Sequence, residues 1–141
     1  MSSDASDFAR SMSIATSGLR AQAGRMRLIS ENIANADSTA LTAGGEPYRR
    51  KIPTFTSALD RSLDAKTVSL GRVRTDQSAF RVKNEPGNPA ADPAGNVKYP
   101  NVNPLIEMTD MREAQRSYEA NLNIISATRR MIQRTLDILK V

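Results

Sequence analysis

The chain has 141 residues, no histidine, no cysteine and a formal net charge of +5. This length fits one ordinary domain with a single core, and the two missing residue types exclude the usual zinc, haem and iron–sulfur ligands, the commonest general base and disulfide bonds. The positive charge would suit an anionic partner such as nucleic acid, but the basic residues are scattered among acidic ones, which favours a solvated surface. We expect no catalytic residue, no cofactor and no metal ion.

No segment approaches the roughly 18 uncharged apolar residues of a membrane span, and the N-terminus has no apolar signal core followed by a cleavage site. The sequence therefore predicts no direct membrane insertion. It also predicts that the protein stays inside the cell unless it uses an export route with an uncleaved terminus.

The first part of the chain has the apolar periodicity of a helix that packs along a partner. Residues at alternating spacings of four and three form a heptad seam with one polar interruption, which runs through Phe8, Met12, Ala15, Leu19, Gln22, Met26, Ile29 and Ile33. Asn35 is a credible stop. We therefore predict an N-terminal helix within residues 1–36, roughly 40 Å long for about 28 helical residues.

The last part of the chain repeats this design from a clearly marked start. Asn103 can cap a helix N-terminus, Pro104 suits the first helical position, and Glu107 and Asp110 suit its positive end. The seam then runs through Met108, Met111, Gln115, Tyr118, Leu122, Ile125, Arg129, Ile132, Leu136 and Leu139. We predict a C-terminal helix within residues 104–141.

The middle segment, residues 37–103, holds six of the seven prolines and five of the seven glycines. This composition predicts an insertion of loops and short strands. Runs that are typical of strands lie at residues 48–56, 68–74, 79–83 and 97–99, and turn signals at 86–89 and 92–96 flank either a hairpin or an extended surface arm.

These segments predict a mainly α fold, in which two long terminal helices form an antiparallel coiled-coil-like core and the middle segment is small, irregular and β-containing. Such pairing buries only one face of each helix. The free energy gained from this apolar burial is small compared with the entropy cost of ordering the helices. Neighbouring copies would supply the missing contacts, and polymerisation would be coupled to folding.

Two other functions compete with a structural role. Glu107, Asp110 and Glu113 share a helix face and could serve as acid and base in a small hydrolase, but electrostatics at the helix start explains them better. A basic, helical, nucleic-acid-associated protein is the main alternative, and salt-dependent binding to DNA would favour it.

Two stretches, residues 17–25 and 29–36, resemble the N-terminal signature of the flagellar axial proteins that build the rod, hook and hook-associated junctions. Residues 47–51, 86–92, 97–111 and 114–121 resemble the proximal-rod branch of that family, although Asn88 stands where we would expect His and residues 37–46 lack a Thr-Pro-Gly-Tyr turn. The family motif comprises Asn32, Ile33, Ala34, Asn35, Pro100, Asn101, Val102, Asn103, Glu107, Met108, Tyr118, Glu119, Ala120 and Asn121.

The resemblance implies a non-enzymatic subunit of the periplasmic rod of the bacterial flagellum, exported by the type III apparatus without a cleaved signal peptide. Its implied partners are other rod subunits, copies of itself and the inner-membrane ring and export apparatus side of the basal body, with no nucleic acid. The resemblance further implies that residues 37–103 contact neighbouring rod subunits. It places the subunit interface at Phe8, Met12, Leu19, Met26, Ile29, Ile33, Met108, Met111, Tyr118, Leu122, Ile125, Ile132, Leu136 and Leu139.

Overall fold

The computed structural model describes residues 2–139, with side chains from residue 6 onward. Helix α1 spans Ser2–Ala34 and helix α2 spans Pro104–Leu139. Between them lie six short strands: β1 (Lys51–Ile52), β2 (Phe55–Asp60), β3 (Ala65–Leu70), β4 (Arg74–Thr75), β5 (Arg81–Asn84) and β6 (Asn96–Tyr99). The predicted fold class, two long terminal helices with a small β-containing middle, is confirmed. Residues 1, 140 and 141 of the predicted helices lie outside the described residues.

Helix α2 begins where the sequence predicts, because its first turn is capped. The Asn103 side-chain oxygen accepts a hydrogen bond of 3.1 Å from the amide of Leu105, and the Asn103 carbonyl accepts one of 3.1 Å from the amide of Glu107. Pro104 is the first helical residue, where its missing N–H costs nothing.

The chain divides into two compact units. The first comprises the described residues within 1–26, 54–72 and 113–141, and the second comprises residues 27–53 and 73–112. Each unit therefore combines a part of both helices with a part of the middle segment, so that residues far apart in the chain are brought together within each unit.

In the first unit the two helices pack antiparallel. The hydroxyl oxygens of Ser11 and Thr128 lie 3.5 Å apart, and the guanidinium of Arg25 lies 3.3 Å from the carboxylate of Glu113. Between these contacts, a Cβ atom at Gly18 would lie 2.9 Å from the side chain of Asn121. Later residues of α1 contact earlier residues of α2, as antiparallel packing requires. Small side chains at the contact allow the two helices to approach closely.

Strands β2 and β3 form an antiparallel hairpin that lies on α1 in the same unit. The register pairs Phe55 with Leu70 and Asp60 with Ala65. The Val68 amide donates to the Ser17 hydroxyl at 3.2 Å, and a Cβ at Gly24 would lie 3.0 Å from the Leu70 side chain.

The second unit is built on two further antiparallel ladders, β1 with β4 and β5 with β6. Ala90, Val97 and Tyr99 form its apolar cluster. The chain reverses between β5 and β6 at residues 85–95, where a carboxylate oxygen of Asp92 accepts hydrogen bonds from the amides of Ala94 and Asn96, both at 2.9 Å. The turn signals at 86–89 and 92–96 thus belong to a hairpin.

Candidate assembly surface

Helix α2 exposes an unusual amount of apolar side chain. Of the fifteen large hydrophobic residues that are exposed in the described part of the chain, nine lie on α2. They are Leu105, Ile106, Met108, Leu122, Ile124, Met131, Leu136, Ile138 and Leu139. A run of this kind on one long helix is characteristic of a surface that a partner covers.

The contact between the helices is offset by about one residue from the predicted seams. On α1 it runs through Ser11, Gly18, Arg25 and Asn32, whereas the prediction placed Met12, Leu19, Met26 and Ile33 there, and those four side chains are half-buried. Phe8 of the predicted seam is also half-buried, and Ala15 and Ile29 of the same seam are buried.

On α2 the predicted seam divides into two sets. Met111, Tyr118, Ile125 and Ile132 are half-buried in the chain. Met108, Leu122, Leu136 and Leu139 are exposed, at 51%, 46%, 48% and 60% of their maximum area. The second set therefore keeps about half of its area uncovered in the single chain, and this area is available to another chain. We call Leu122 and Leu136, fourteen positions apart and so on one side of the helix, the distal flank of α2.

The sequence reasoning missed a second apolar stripe on α2. Ile124, Met131 and Ile138 recur at seven-residue spacing and are 46%, 49% and 75% exposed. In the first unit, Ile124 lines a shallow groove together with Ile14 of α1, which is itself 45% exposed. The seven-residue spacing was available in the sequence, but the other apolar set of the same helix fitted the heptad pattern over a longer stretch.

A buried polar cluster ties the end of α1 to the start of α2 inside the second unit. Asn32 is fully buried and all four of its hydrogen-bonding positions are filled. Its amide nitrogen donates to the Lys51 carbonyl at 2.9 Å and to a Glu107 carboxylate oxygen at 3.0 Å. Its oxygen accepts from the Tyr48 hydroxyl at 2.7 Å and from the Lys51 amide at 2.9 Å.

Glu107 is also buried, and its charge is compensated by Arg50. The Arg50 Nε atom lies 2.5 Å from one carboxylate oxygen of Glu107, and the guanidinium also reaches Asp110 at 3.5 Å. Of the three carboxylates that could have served a hydrolase, two are thus held in one ion-pair network with Arg50. The third, Glu113, pairs with Arg25 in the other unit.

The same cluster sets the protonation of its neighbours. Burial is the main cause that raises the pKa of Tyr48, which therefore stays a neutral hydrogen-bond donor. The hydrogen bond between Lys51 and Glu31, 2.8 Å long, raises the pKa of Lys51 and lowers that of Glu31. Both groups stay charged at neutral pH, so the cluster is a fixed structural link.

Other residues of the predicted family motif also have structural partners. The Asn101 side chain accepts from the Arg50 amide at 2.8 Å and donates to the Asp76 carbonyl at 3.0 Å, while Pro100 and Val102 beside it are buried. The side-chain amide nitrogen of Asn35 donates to the Glu31 carbonyl at 2.8 Å. Ala34, Glu119 and Ala120 are exposed, and Ile33, Tyr118 and Asn121 are half-buried.

The described residues contain no group of three or more acidic side chains placed to hold a metal ion. Within the same residues, neither helix is apolar enough over a sufficient length to cross a membrane.

Two long helices that expose apolar side chains are typical of a subunit that other chains cover, and family comparisons give its class. A family described as flagella basal body rod protein matches residues 12–40. A second family, described as the C-terminal part of the flagellar basal body rod proteins FlgE, FlgF and FlgG, matches residues 94–138. The two matches fall on the two terminal helices and their flanking residues.

Relatives narrow the class to one protein. The chain is 54% identical to the flagellar basal-body rod protein FlgC of Agrobacterium fabrum, over 90% of this chain and 91% of the relative. It is 37% identical to FlgC of Bacillus subtilis over 91% and 95%, and 37% identical to FlgC of Salmonella typhimurium over 89% and 92%. The chain belongs to the FlgC family of flagellar basal-body rod proteins.

It is therefore a structural component of the basal body of the flagellum, the organelle of motility, and not an enzyme. The resemblance to the proximal-rod branch is confirmed. Nothing in these findings supports the nucleic-acid-associated alternative.

Proposed function

We propose that this subunit polymerises with other rod subunits and with copies of itself through the apolar flanks of its two helices, to form part of the hollow drive shaft. The observation that carries this proposal is the set of nine exposed large apolar residues on α2. Covering the half-exposed area of such a residue contributes about 1 kcal/mol, roughly half of the value for complete burial. The nine exposed apolar residues of α2 would together offset a substantial part of the cost of association.

The flanks suit an open assembly because they differ from each other. The stripe of Ile124, Met131 and Ile138 lies on one side of α2 and the distal flank lies on another, so one copy can present the first to a neighbour while receiving a neighbour on the second. A contact between unlike surfaces generates a helical array unless its rotation closes. The half-buried residues Met12, Leu19 and Met26 of α1 add to the area that neighbours would cover, and residues 37–103 would brace the assembly from outside.

The test introduces a charge into the distal flank. Leu122→Asp and Leu136→Asp should abolish swimming and rod formation in cells that carry no other copy, because a carboxylate cannot be buried in an apolar contact without a partner. Asn123→Asp is the matched control, since Asn123 is exposed beside Leu122 and is polar already. Intact rods and normal swimming with both Leu variants would contradict the proposed interface.

A further variant separates assembly from folding. Ile125 is half-buried and belongs to the set that remains less exposed in the single chain. Ile125→Asp should therefore lower the helix content of the purified protein, whereas Leu136→Asp should leave it close to that of the wild type. Equal losses in the two variants would show that the distal flank is needed for folding.

We further propose that the subunit occupies the periplasmic rod, beside the inner-membrane ring and export apparatus, and reaches it through type III export without removal of a signal peptide. Membership of the FlgC family of flagellar basal-body rod proteins supports this location. The mass of the protein recovered from isolated basal bodies should equal that of the full chain. A mass that is short by an N-terminal leader would contradict the proposed route.

A further inference from the structure

Strand β2 has a free edge whose backbone groups are identifiable. The Gly71 amide donates to the Thr54 carbonyl at 2.7 Å, which makes positions 54 and 71 a hydrogen-bonded pair of the β2–β3 ladder. Hydrogen-bonded and non-bonded pairs alternate along an antiparallel ladder, so the backbone groups of Phe55, Ser57 and Leu59 point away from β3. The outward Val68 amide on the other edge, which bonds to Ser17 of α1, agrees with this alternation.

No described residue pairs with this edge, since β2 and β3 form a two-stranded sheet. The five residues 55–59 are all exposed, and Phe55 and Leu59 have 43% and 55% of their maximum area accessible to solvent. Proteins usually protect such an edge with Lys, Pro or a bulge. Between Pro53 and the turn after Asp60, β2 contains none of these.

The edge is complementary to itself. If two copies of β2 pair antiparallel through their outward groups with Ser57 opposite Ser57, then Phe55 lies opposite Leu59 of the second copy, and Leu59 opposite Phe55. Each of these cross-strand pairs is apolar and lies on one face of the sheet. Asp60 then faces Thr54 of the second copy, so no like charges meet. Pro53, which has no amide hydrogen, bounds the pairing.

We propose that the free subunit forms a two-fold dimer by adding β2 of one copy to β2 of another, which makes a continuous antiparallel sheet in the order β3, β2, β2, β3. Three residue pairs would exchange about six backbone hydrogen bonds. A two-fold contact closes on itself, so this dimer covers the edge before assembly and does not extend the rod. The inference is independent of the helix flanks proposed as rod contacts.

A strand pair of this length buries less area than a stable interface needs, so the experiment traps it covalently. The chain has no cysteine, which makes single-cysteine variants unambiguous. In the pairing above, the two Ser57 Cα atoms would lie about 5.5 Å apart, within reach of a disulfide. Purified Ser57→Cys should, after mild oxidation, give at least about tenfold more disulfide-linked dimer than Ser69→Cys, an exposed position of β3 in the same hairpin.

Two variants test the mechanism of pairing. Ser57→Pro removes the outward backbone N–H of position 57 and leaves the β2–β3 hydrogen bonds in place. Leu59→Lys places a charge on the free edge of β2. Sedimentation of the full-length wild type should show concentration-dependent dimerisation that either variant abolishes, and Leu59→Lys should reduce cross-linking of Ser57→Cys to the control level. Circular dichroism shows whether each variant folds. If one variant fails to fold, the test of edge pairing rests on the other.

Equal cross-linking of Ser57→Cys and Ser69→Cys would overturn the proposal. So would a dimer that persists in a folded Ser57→Pro or Leu59→Lys protein, since it would then be formed by another surface, such as the helix flanks, or by a different strand.

Discussion

Replacing Asn32 with alanine should destabilise the protein far more than replacing any exposed polar residue. The variant loses four hydrogen bonds at once, those to Lys51 (two), Tyr48 and Glu107. Each bond contributes about 1 kcal/mol net, and Glu107 among the partners left behind is buried, so the expected loss of unfolding free energy is about 4 kcal/mol. This is a large fraction of the total stability of an ordinary domain.

The assay is urea unfolding of the purified protein followed by circular dichroism at 222 nm. Asn35→Ala is the matched control because Asn35 lies three positions after Asn32 and its side chain makes a single hydrogen bond, to the Glu31 carbonyl. We expect a loss of about 1 kcal/mol for this control. A loss for Asn32→Ala no larger than that of the control would refute the role assigned to the buried cluster.

Two further predictions concern the helix contact and the acid sensitivity of the β5–β6 hairpin. Gly18→Ala should raise the unfolding free energy of an Asn121→Ala background by about 1 kcal/mol, because alanine favours the helix more than glycine does. In the wild type the same substitution should raise it by less than half as much, because the new Cβ meets Asn121. Equal gains in a double-mutant cycle would contradict this. Hydrogen bonds from Asn88 and Tyr99 lower the pKa of Glu85, so its contribution to stability is present above its usual pKa and is lost as the pH falls through the lowered value. Glu85→Gln should therefore flatten the fall in unfolding free energy between about pH 5 and pH 3, and a fall as steep as that of the wild type would exclude this role.

The sequence was sufficient to predict the helices, because their signals are local. The Asn103 cap, the proline that follows it and the apolar periodicity each act over a few residues and place the start of α2 correctly. The helix contact itself was placed about one residue away, since Ser11, Gly18 and Thr128 are small or polar and do not appear in an apolar pattern. Close approach of two backbones favours small side chains, and periodicity of large apolar residues cannot detect them.

The β2–β3 hairpin was missed for a different reason. Its turn, residues 61–64, contains no glycine, proline or asparagine, and the left-handed conformation is adopted by Asp64 with φ 48°. Both faces of β2 are exposed, so the alternation that marks a half-buried strand is absent. These are features that only pairing in space can reveal.

The buried cluster shows the same limit for a functional motif. Glu107 was explained by helix-start electrostatics, and it does lie in the first turn of α2, but its main partners are Arg50 and Asn32, far away in the chain. The predicted family motif includes Asn32 and Glu107, and the structure supplies the contacts that each of them makes.

The most direct test of the assembly surface compares one side chain in the free and assembled protein. Leu136→Cys and, as the control, Asn123→Cys are labelled with a maleimide in the purified chain and in isolated basal bodies, and both positions are exposed in the single chain. The cysteine at position 136 should react in the free protein. In an assembled rod it should be protected, because a neighbouring subunit covers it. Equal labelling of position 136 in both states would contradict the proposal that the distal flank of α2 joins the rod together.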